Sequence, residues 1–463
     1  RKLMIFIASV LIVYGINTWF SLPVDAFPDI SPTQVKIILK IPGMTPEEVE
    51  QRVVRPIEIE MLSIPKKRII RSVSKYGIAD ITIDFDDGTD IYWARQQVSE
   101  RLNAFTKDLP VGATGGLAPI TTPLSEVYMF TVDGENYSQM ERRSALDWII
   151  RPALRTIPGV AEVNSLGGEA KIYEVIPDSA RMAAKGITLK ELRDALLMNN
   201  SNDGAGRVET GEEALVIRVE GAVKSVDDIK SMTIINAHGK PMLLDEIATV
   251  RMGSATRNGA VTENGTGEAV EGLVLSLRGA NARHLVTAIE EKLQEIQPKL
   301  PVGMTTSTFY NRGELVSRAA GTVTKALLEA TVLVCITLYL FLGGLRAAFV
   351  VAVVLPLAIL STFILINYFG VAANLMSLGG LAIAIGMLVD ASVVVVENIE
   401  KYFSNPKTPT AVSTQNVIVK AVSEVIRPVT AGVLIIAVVF LPLLTLEGLE
   451  GKLFAPVALT IVM

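Results

Sequence analysis

A single carboxylate stands inside one of the apolar stretches of this sequence. Residues 375–396 read LMSLGGLAIAIGMLVDASVVVV, and Asp390 is the one charged residue among these 22. A stretch of this length can cross the hydrocarbon core of a bilayer as a helix. Because a carboxylate at that depth costs about 2.5–3.5 kcal/mol on insertion scales, we expect Asp390 to have a function or a charged partner.

Glu397 follows Asp390 by seven residues. At about 3.6 residues per turn, this spacing places both carboxylates on one helix face, roughly two turns apart. Stacked acids in a membrane helix are typical of a relay for protons or cations. The alternative is a structural carboxylate, in which Asp390 pairs with a basic residue of a neighbouring helix and Glu397 only marks the membrane surface. The pattern favours the relay, because intramembrane acids usually line ion pathways.

The composition divides the chain into membrane and soluble parts. Of its 463 residues, 50% are hydrophobic, and the mean hydropathy is +0.41. The apolar residues are concentrated in residues 3–20 and after residue 323, and about 300 residues of ordinary soluble composition lie between them. A net charge of −5 argues against nucleic acid as a partner.

Five apolar segments are long enough to span a membrane, and a sixth begins before the last residue. The segments are Leu3–Phe20, Val323–Leu342, Ala347–Phe369, Leu375–Val396, Pro428–Leu444 and Leu453 onward. The sixth has about 11 residues, too few to cross a bilayer, so we expect the sequence to be part of a longer protein.

The placement of lysine and arginine predicts the orientation, because these residues are enriched in cytoplasmic loops. The basic residues fall on one side of the predicted spans: Arg1, Lys2, Arg346, Lys401, Lys407, Lys420 and Arg427. The soluble region between the first and second spans, positions 25 to 315, is therefore expected to lie outside.

The external region begins with a βαββα pattern. Strands are predicted at 34–41, 68–77 and 78–86, and helices at 46–62 and 90–105, the first of them capped by Thr45. A last strand near Gly115–Ile120 would complete a ferredoxin-like split βαβ unit.

A second α+β unit begins at Glu126 and is interrupted by residues 167–253, after which its pattern resumes. The insertion includes Asn200–Gly206, which we predict to be a flexible turn that either reaches a partner subunit or is a plain surface loop. The predicted fold class is an α-helical membrane bundle plus an α+β external domain of ferredoxin-like βαββαβ subdomains, with an extra subdomain inserted in the second.

Few residues could hold a metal or cofactor. His238 and His284 are far apart, and the sole cysteine, Cys335, lies in an apolar run, where packing is its expected role. The acidic run Asp84–Asp90 fails the EF-hand spacing, so we interpret it as a strand end and a helix cap. We therefore expect no closed zinc site and no cofactor.

Several motifs resemble those of resistance–nodulation–division transporters, most closely their heavy-metal efflux branch. They are PVDAFPDISPTQV, DFDDGTDIYWARQQVSERL, RTIPGVAEVNSLGG and NLMSLGGLAIAIGMLVDASVVVVENIEK. The resemblance covers essentially the whole chain, as the N-terminal half of such a transporter. It implies a proton-driven exporter in the Gram-negative inner membrane, with a metal cation as substrate and the proton as coupling ion. The family's essential aspartate corresponds to Asp390, and its second acidic position to Glu397.

The resemblance also implies partners and a division into subdomains. The expected partners are two further copies in a homotrimer, a periplasmic adaptor, an outer-membrane channel and membrane lipid. The expected parts are a first transmembrane helix (1–21), a first porter subdomain (22–118), a second porter subdomain (119–166 and 254–315), a docking subdomain (167–253) and transmembrane helices two to six (316–463).

Two departures from the family leave the metal open. Exporters of zinc, cobalt or cadmium often carry Asp-Phe-Gly where this chain has Ala384-Ile385-Gly386. Copper and silver exporters carry a methionine relay, of which this chain matches one position. That position is Met376, the one candidate metal ligand, whereas Leu388, Val395 and Thr256 stand at the other relay positions.

Two other functions are considered. An exporter of drugs or other organic substrates usually has two adjacent aspartates, and this chain has Asp390-Ala391. A non-transporting membrane receptor would have no use for an intramembrane acid. The sequence therefore favours metal export over both.

Overall fold

The computed structural model describes residues 2–22, 25, 27–211, 213–235, 239–342, 345–371, 373–404 and 414–463. The predicted positions His238 and Lys407 lie outside these ranges. Within these described ranges, five helices are long and apolar enough to cross a membrane, which agrees with the five predicted spans. They are Lys2–Phe20, Arg312–Thr337, Ala348–Tyr368, Leu375–Phe403 and Thr414–Thr445.

The first α+β unit follows the first membrane helix. Its elements, after α1 (Lys2–Ser21), are β1 (Gln34–Lys40), α2 (Pro46–Val49), α3 (Arg55–Met61), β2 (Lys67–Lys75), β3 (Ile78–Phe85), α4 (Ile91–Phe105) and β4 (Thr114–Leu117). The sheet order β2-β3-β1-β4 is that of a ferredoxin-like split βαβ unit. Thr45 caps α2 in a capping box with Glu48, as its position before Pro46 predicts. Alternate residues of β1 and β3 pack under the helices.

The second unit has the same sheet order in two segments. Its first segment comprises β5 (Glu126–Asp133), α5 (Gln139–Ala145), α6 (Arg151–Leu154) and β6 (Val160–Gly167). The insertion comprises β7 (Lys171–Pro177), α7 (Ser179–Lys185), α8 (Leu189–Met198), β8 (Asn202–Thr210), β9 (Glu213–Glu220), α9 (Val226–Lys230), β10 (Thr233–Ile235), β11 (Pro241–Leu243) and β12 (Ala248–Ser254). The unit resumes with β13 (Val261–Glu263), β14 (Gly267–Ser276), α10 (Ala282–Ile296) and β15 (Thr305–Asn311). Strands β6, β14, β5 and β15 then lie side by side.

One turn of π-helix recurs in both units. It occupies residues 50–54 in the first unit and 146–150 in the second, and each precedes an Arg-Pro pair. Because proline has no backbone N–H, the regular ladder of helix hydrogen bonds cannot continue through it. The same irregularity at the same place indicates that the two units are copies of one fold.

The inserted unit corrects one prediction. Residues 200–206 were predicted to form a flexible turn, but Asn202 begins strand β8, which pairs with β9 in a two-stranded hairpin. The hairpin pairing satisfies the backbone and outweighs the turn preference of Asn, Asp and Gly, and the turn falls at Gly211 instead. A β-bulge between Gly204 and Gly206 accommodates these glycines within the strand.

The membrane part contains α11 (Arg312–Leu342), α12 (Leu345–Tyr368), α13 (Leu375–Phe403), α14 (Thr414–Phe440) and α15 (Gly448–Val462). We call the ends of these helices nearer the α+β units their outer ends and the opposite ends their inner ends. The core of the membrane part joins α11, α12 and α13 and includes Val316, Leu355 and Leu381. Gly15 of α1 permits close packing on α12, because a Cβ there would lie 2.7 Å from Cβ of Leu360.

Helix α11 begins at Arg312, well before the apolar run that starts at Val323. The connector between the second unit and the membrane is therefore helical. Its two glycines are ordinary helix positions: a Cβ on Gly313 would lie 3.2 Å from Cβ of Val286, and a Cβ on Gly321 would meet nothing within 4 Å. Gly313 thus allows α10 and α11 to pack closely, and neither glycine interrupts the helix.

Candidate functional site

The helix that carries Asp390 is fixed at its outer end by a buried cap. The side chain of Asn374 accepts a hydrogen bond from the backbone N–H of Ser377, and the Ser377 hydroxyl accepts one from Asn374 N–H, both at 2.9 Å. Both residues are buried, at 2% and 0% exposed. Because the cap is enclosed, α13 cannot fray where it begins. The sequence shows this capping motif as Asn-x-x-Ser, but it was not among the motifs predicted from the sequence.

One stripe of α13 carries the residues with possible ion chemistry. Met376, Ile383, Asp390 and Glu397 follow one another at intervals of seven. In a continuous helix each step of seven rotates by only about 20°, so the stripe runs along one side for roughly 32 Å. Met376 is half-buried, whereas Ile383, Asp390 and Glu397 are exposed in the chain. The structure therefore places both carboxylates on one face.

The side of α13 away from Asp390 is buried. Leu381 and Ile385, which lie about 180° and 140° around the helix from Asp390, belong to a cluster with residues of α11 and α12. A Cβ added to Gly380 would lie 2.7 Å from the carbonyl oxygen of Val457, so α15 approaches the backbone of α13 directly. Helices that meet through small residues share a close interface. Gly380 lies about 80° around the helix from Asp390, so the α13–α15 contact is beside the stripe.

Neither carboxylate has a partner in the portion of the chain that the structure covers. Asp390 and Glu397 make no side-chain hydrogen bond and no ion pair with any described residue. The structural alternative, in which Asp390 pairs with a basic residue, gains no support from the described helices. The open face is instead available to a proton, to water or to further helices.

The inner end of α13 is joined to α14 by polar contacts beside Glu397. The amide of Asn398 donates to the carbonyl of Ala421 at 2.8 Å and to Oε2 of Glu424 at 3.3 Å. The hydroxyl of Tyr402 donates to the same Glu424 carboxylate. These contacts hold the helix segment after Asp390 against α14. Sequence reasoning missed Glu424, whose surroundings in the sequence are those of an ordinary polar helix.

The candidate metal ligands are not gathered together. No group of three or more His, Cys, Asp or Glu residues suited to a metal ion occurs in the described segments. His284 is exposed on α10 and Cys335 is half-buried in α11. In the acidic run, Asp90 accepts a hydrogen bond from Trp93 N–H at 2.8 Å at the start of α4. Met376 remains a candidate only through its match to one position of the methionine relay.

A junction segment, made of Asp25 and residues 27–31, connects α1 to the first unit and is held by two arginines. Arg312, the first residue of α11, is 7% exposed and donates from Nη2 to both carboxylate oxygens of Asp25 at 2.8 Å. Arg278 Nε lies 2.8 Å from Oδ2 of Asp29. Together with residues of α15, these side chains line a cavity of about 460 Å³ at the outer ends of the membrane helices.

Lys452 of α15 reaches the same place. Its Nζ donates to the carbonyl of Ser31 at 3.0 Å and lies 2.8 Å from Oδ1 of Asp87, in the turn between β3 and α4. The hydrogen bond from Lys452 lowers the pKa of the Asp87 carboxyl. These contacts join residues hundreds of positions apart, so no local pattern in the sequence could have predicted them.

The comparisons with known proteins agree with this architecture. The chain is 41% identical to the cobalt-zinc-cadmium resistance protein CzcA of Cupriavidus metallidurans over 464 residues, covering 97% of this chain and 43% of that protein. It is 37% identical to the cation efflux system protein CusA of Escherichia coli over 469 residues, covering 99% of this chain and 45% of that protein. The crystal structure of a heavy metal efflux pump matches with a TM-score of 0.89 at 30% identity, covering 100% of this chain and 45% of that one.

The chain thus spans less than half the length of these relatives. Its match to the AcrB/AcrD/AcrF family extends over residues 1–463. The chain therefore belongs to the AcrB/AcrD/AcrF family of resistance–nodulation–division proteins.

Proposed function

We propose that this chain is part of a proton-driven exporter of heavy-metal cations in the Gram-negative inner membrane. The observation that carries the proposal is Asp390, a carboxylate on an open face of a membrane helix in a chain whose relatives are named for cation efflux and metal resistance. An acid in a span is costly and is retained where ions or protons pass. The metal cation is the substrate and the proton is the coupling ion.

Asp390 is proposed to bind and release the driving proton. From the cap at Asn374, Asp390 is sixteen residues along α13. At about 1.5 Å per residue, it lies roughly 24 Å into a hydrocarbon core about 30 Å thick, and Glu397 lies roughly at the inner boundary. A proton released from Asp390 then reaches the cytoplasm by way of Glu397. The rest of the open face is proposed to be covered by helices from the length of the relatives that this chain does not span.

The α+β units are proposed to act outside the membrane. The two ferredoxin-like units would be porter subdomains, and the inserted unit a docking subdomain that faces an outer-membrane channel and its adaptor. The β8–β9 hairpin supports assembly as a homotrimer. Its side chains Leu215, Val216 and Ile217 are exposed in the chain, which is unfavourable unless another subunit covers them.

The metal preference is proposed to depend on residues beyond this chain. Met376 is half-buried at the outer end of α13 and would be a soft ligand suited to monovalent copper or silver. The 41% identical relative is instead named for cobalt, zinc and cadmium resistance. The remaining ligands would come from the rest of the transporter.

Transport by the full-length protein that contains this chain tests the proposal. Reconstituted in vesicles with an imposed pH gradient, it should move at least one of Zn²⁺, Co²⁺, Cd²⁺, Cu⁺ or Ag⁺, and dissipating the gradient should stop the movement. The control is the same protein with an uncoupler present. Transport of ethidium but of no metal would support an organic-substrate exporter instead, and transport of neither would contradict an export function.

The orientation gives a second prediction. In a Cys335→Ser background, a Val111→Cys variant should react with a membrane-impermeant maleimide in spheroplasts, because Val111 is fully exposed in the first unit. A Ser404→Cys variant at the end of α13 should react only after the membrane is permeabilised. Labelling of the second variant but not the first in intact spheroplasts would invert the proposed orientation.

A further inference from the structure

Helix α15 connects two places that the proposed mechanism must link. On one side it packs against α13, where a Cβ on Gly380 would lie 3.1 Å from Cα of Val457. Because the two backbones are in direct contact, a shift or rotation of α13 displaces α15 as well. The proton-binding Asp390 is on α13, so its charge state acts on a helix that is firmly joined to α15.

At its outer end, α15 contacts the first α+β unit through Lys452. The Nζ atom lies 2.8 Å from the Asp87 carboxylate and 3.0 Å from the Ser31 carbonyl. In the described segments, this is the one ion pair between a membrane helix and the strands, helices and turns of the first unit. The turn that carries Asp87 lies between β3, the second strand of the sheet, and α4.

The contact crosses a cleft. About 850 Å³ of open space separates the β3–α4 turn from the outer turn before α15, and its walls include Arg68, Asp86, Glu447 and Gly448. The two parts therefore do not pack continuously on each other here. Across this cleft, a displacement of α15 can reach the turn only through the atoms of the Lys452–Asp87 contact. Removing the contact should therefore weaken the transmission.

The bridge itself does not sense protons near neutral pH. The pKa of the Asp87 carboxyl is lowered, first of all by the hydrogen bond from Lys452. A carboxylate with a lowered pKa stays ionised from neutral to mildly acidic pH, so Asp87 remains a charged partner for Lys452. The pair is thus intact while Asp390 changes its state, as a transmitting element must be.

We propose that Lys452 is a positioning residue that carries the movement of α13 and α15 to the first α+β unit and so couples proton binding to substrate movement. The inference rests on the proposed function. The two-state element is the α13–α15 pair, which Asp390 biases from the membrane and the first unit biases from outside. Lys452 touches neither substrate nor proton, and it acts through Asp87 and Ser31.

The test uses the full-length protein in vesicles with a pH gradient and the metal that the wild type transports. We expect Lys452→Met and Asp87→Asn each to slow transport about tenfold, within the usual range of coupling between sites. Metal affinity and the thermal unfolding midpoint should stay near the wild-type values. The double variant should be no slower than either single one, since both remove the same contact. Lys452→Arg should keep most of the rate, because it retains the charge.

The matched control is the Lys36–Asp80 pair, which joins β1 and β3 at 3.2 Å within the first unit and crosses no cleft. Lys36→Met should leave transport unchanged. Wild-type speed in Lys452→Met, additive losses in the double variant, or an equal loss in Lys36→Met would overturn the inference. Absence of gradient-driven transport by the wild type would overturn the proposed function, and the inference with it.

Discussion

Replacing Asp390 by asparagine is expected to reduce gradient-driven metal export to the background of empty vesicles. Asparagine has nearly the same shape but cannot bind and release a proton at this position. The substitution also removes a charge that is unfavourable inside a span, so insertion should not suffer. Export should be measured as metal movement after a pH jump, with assembly followed by size-exclusion chromatography.

The matched control is Glu400→Gln, which neutralises another acid of α13 ten residues further along. Ten residues correspond to about 1000° of rotation, which places Glu400 roughly 80° away from the stripe of Asp390. We expect its export to stay close to wild type, whereas Glu397→Gln should slow export without abolishing it. Normal export by the Asp390→Asn variant would exclude the proton relay.

Local patterns predicted the elements because each element's own residues determine it. The signals that predicted these elements lie within a few neighbouring residues. They are the alternating apolar residues of β1 and β3, the cap Thr45 and the length of the apolar run 375–396. One prediction failed where the backbone had another partner. The hairpin pairing turned residues 202–206 into a strand.

The candidate site divides in the same way. Asp390 and Glu397 could be found from the sequence, because a charge in an apolar run and a spacing of seven are local facts. The contacts at the membrane surface could not be found. Asp25 and Arg312 are 287 positions apart, and Ser31 and Lys452 are 421 positions apart. In the sequence alone, each of these residues looks like an ordinary charged or hydroxyl-bearing residue near the end of a predicted element.

The buried contact between Arg312 and Asp25 gives the largest expected effect on stability. The Arg312 side chain is 8% exposed and Asp25 about a third, at 31%. Replacing Arg312 by methionine keeps the apolar stem but leaves the Asp25 carboxylate without its bidentate donor. Breaking such a buried pair costs about 3–5 kcal/mol, and partial exposure of Asp25 brings our expectation to about 2–3 kcal/mol. The thermal unfolding midpoint in detergent should therefore fall by several degrees.

Two variants test whether the loss of stability is caused by breaking the buried Arg312–Asp25 pair. Arg318→Met, on the same helix, removes an exposed pair with Glu314 and should cost about 0.5 kcal/mol or less. Adding Asp25→Asn to Arg312→Met should recover part of the midpoint, because it removes the partly buried charge that Arg312 had balanced. If Arg312→Met unfolds at the wild-type temperature, the pair does not hold the junction segment. If instead the second substitution lowers the midpoint further, the Asp25 carboxylate stabilises the junction through side-chain contacts other than that with Arg312.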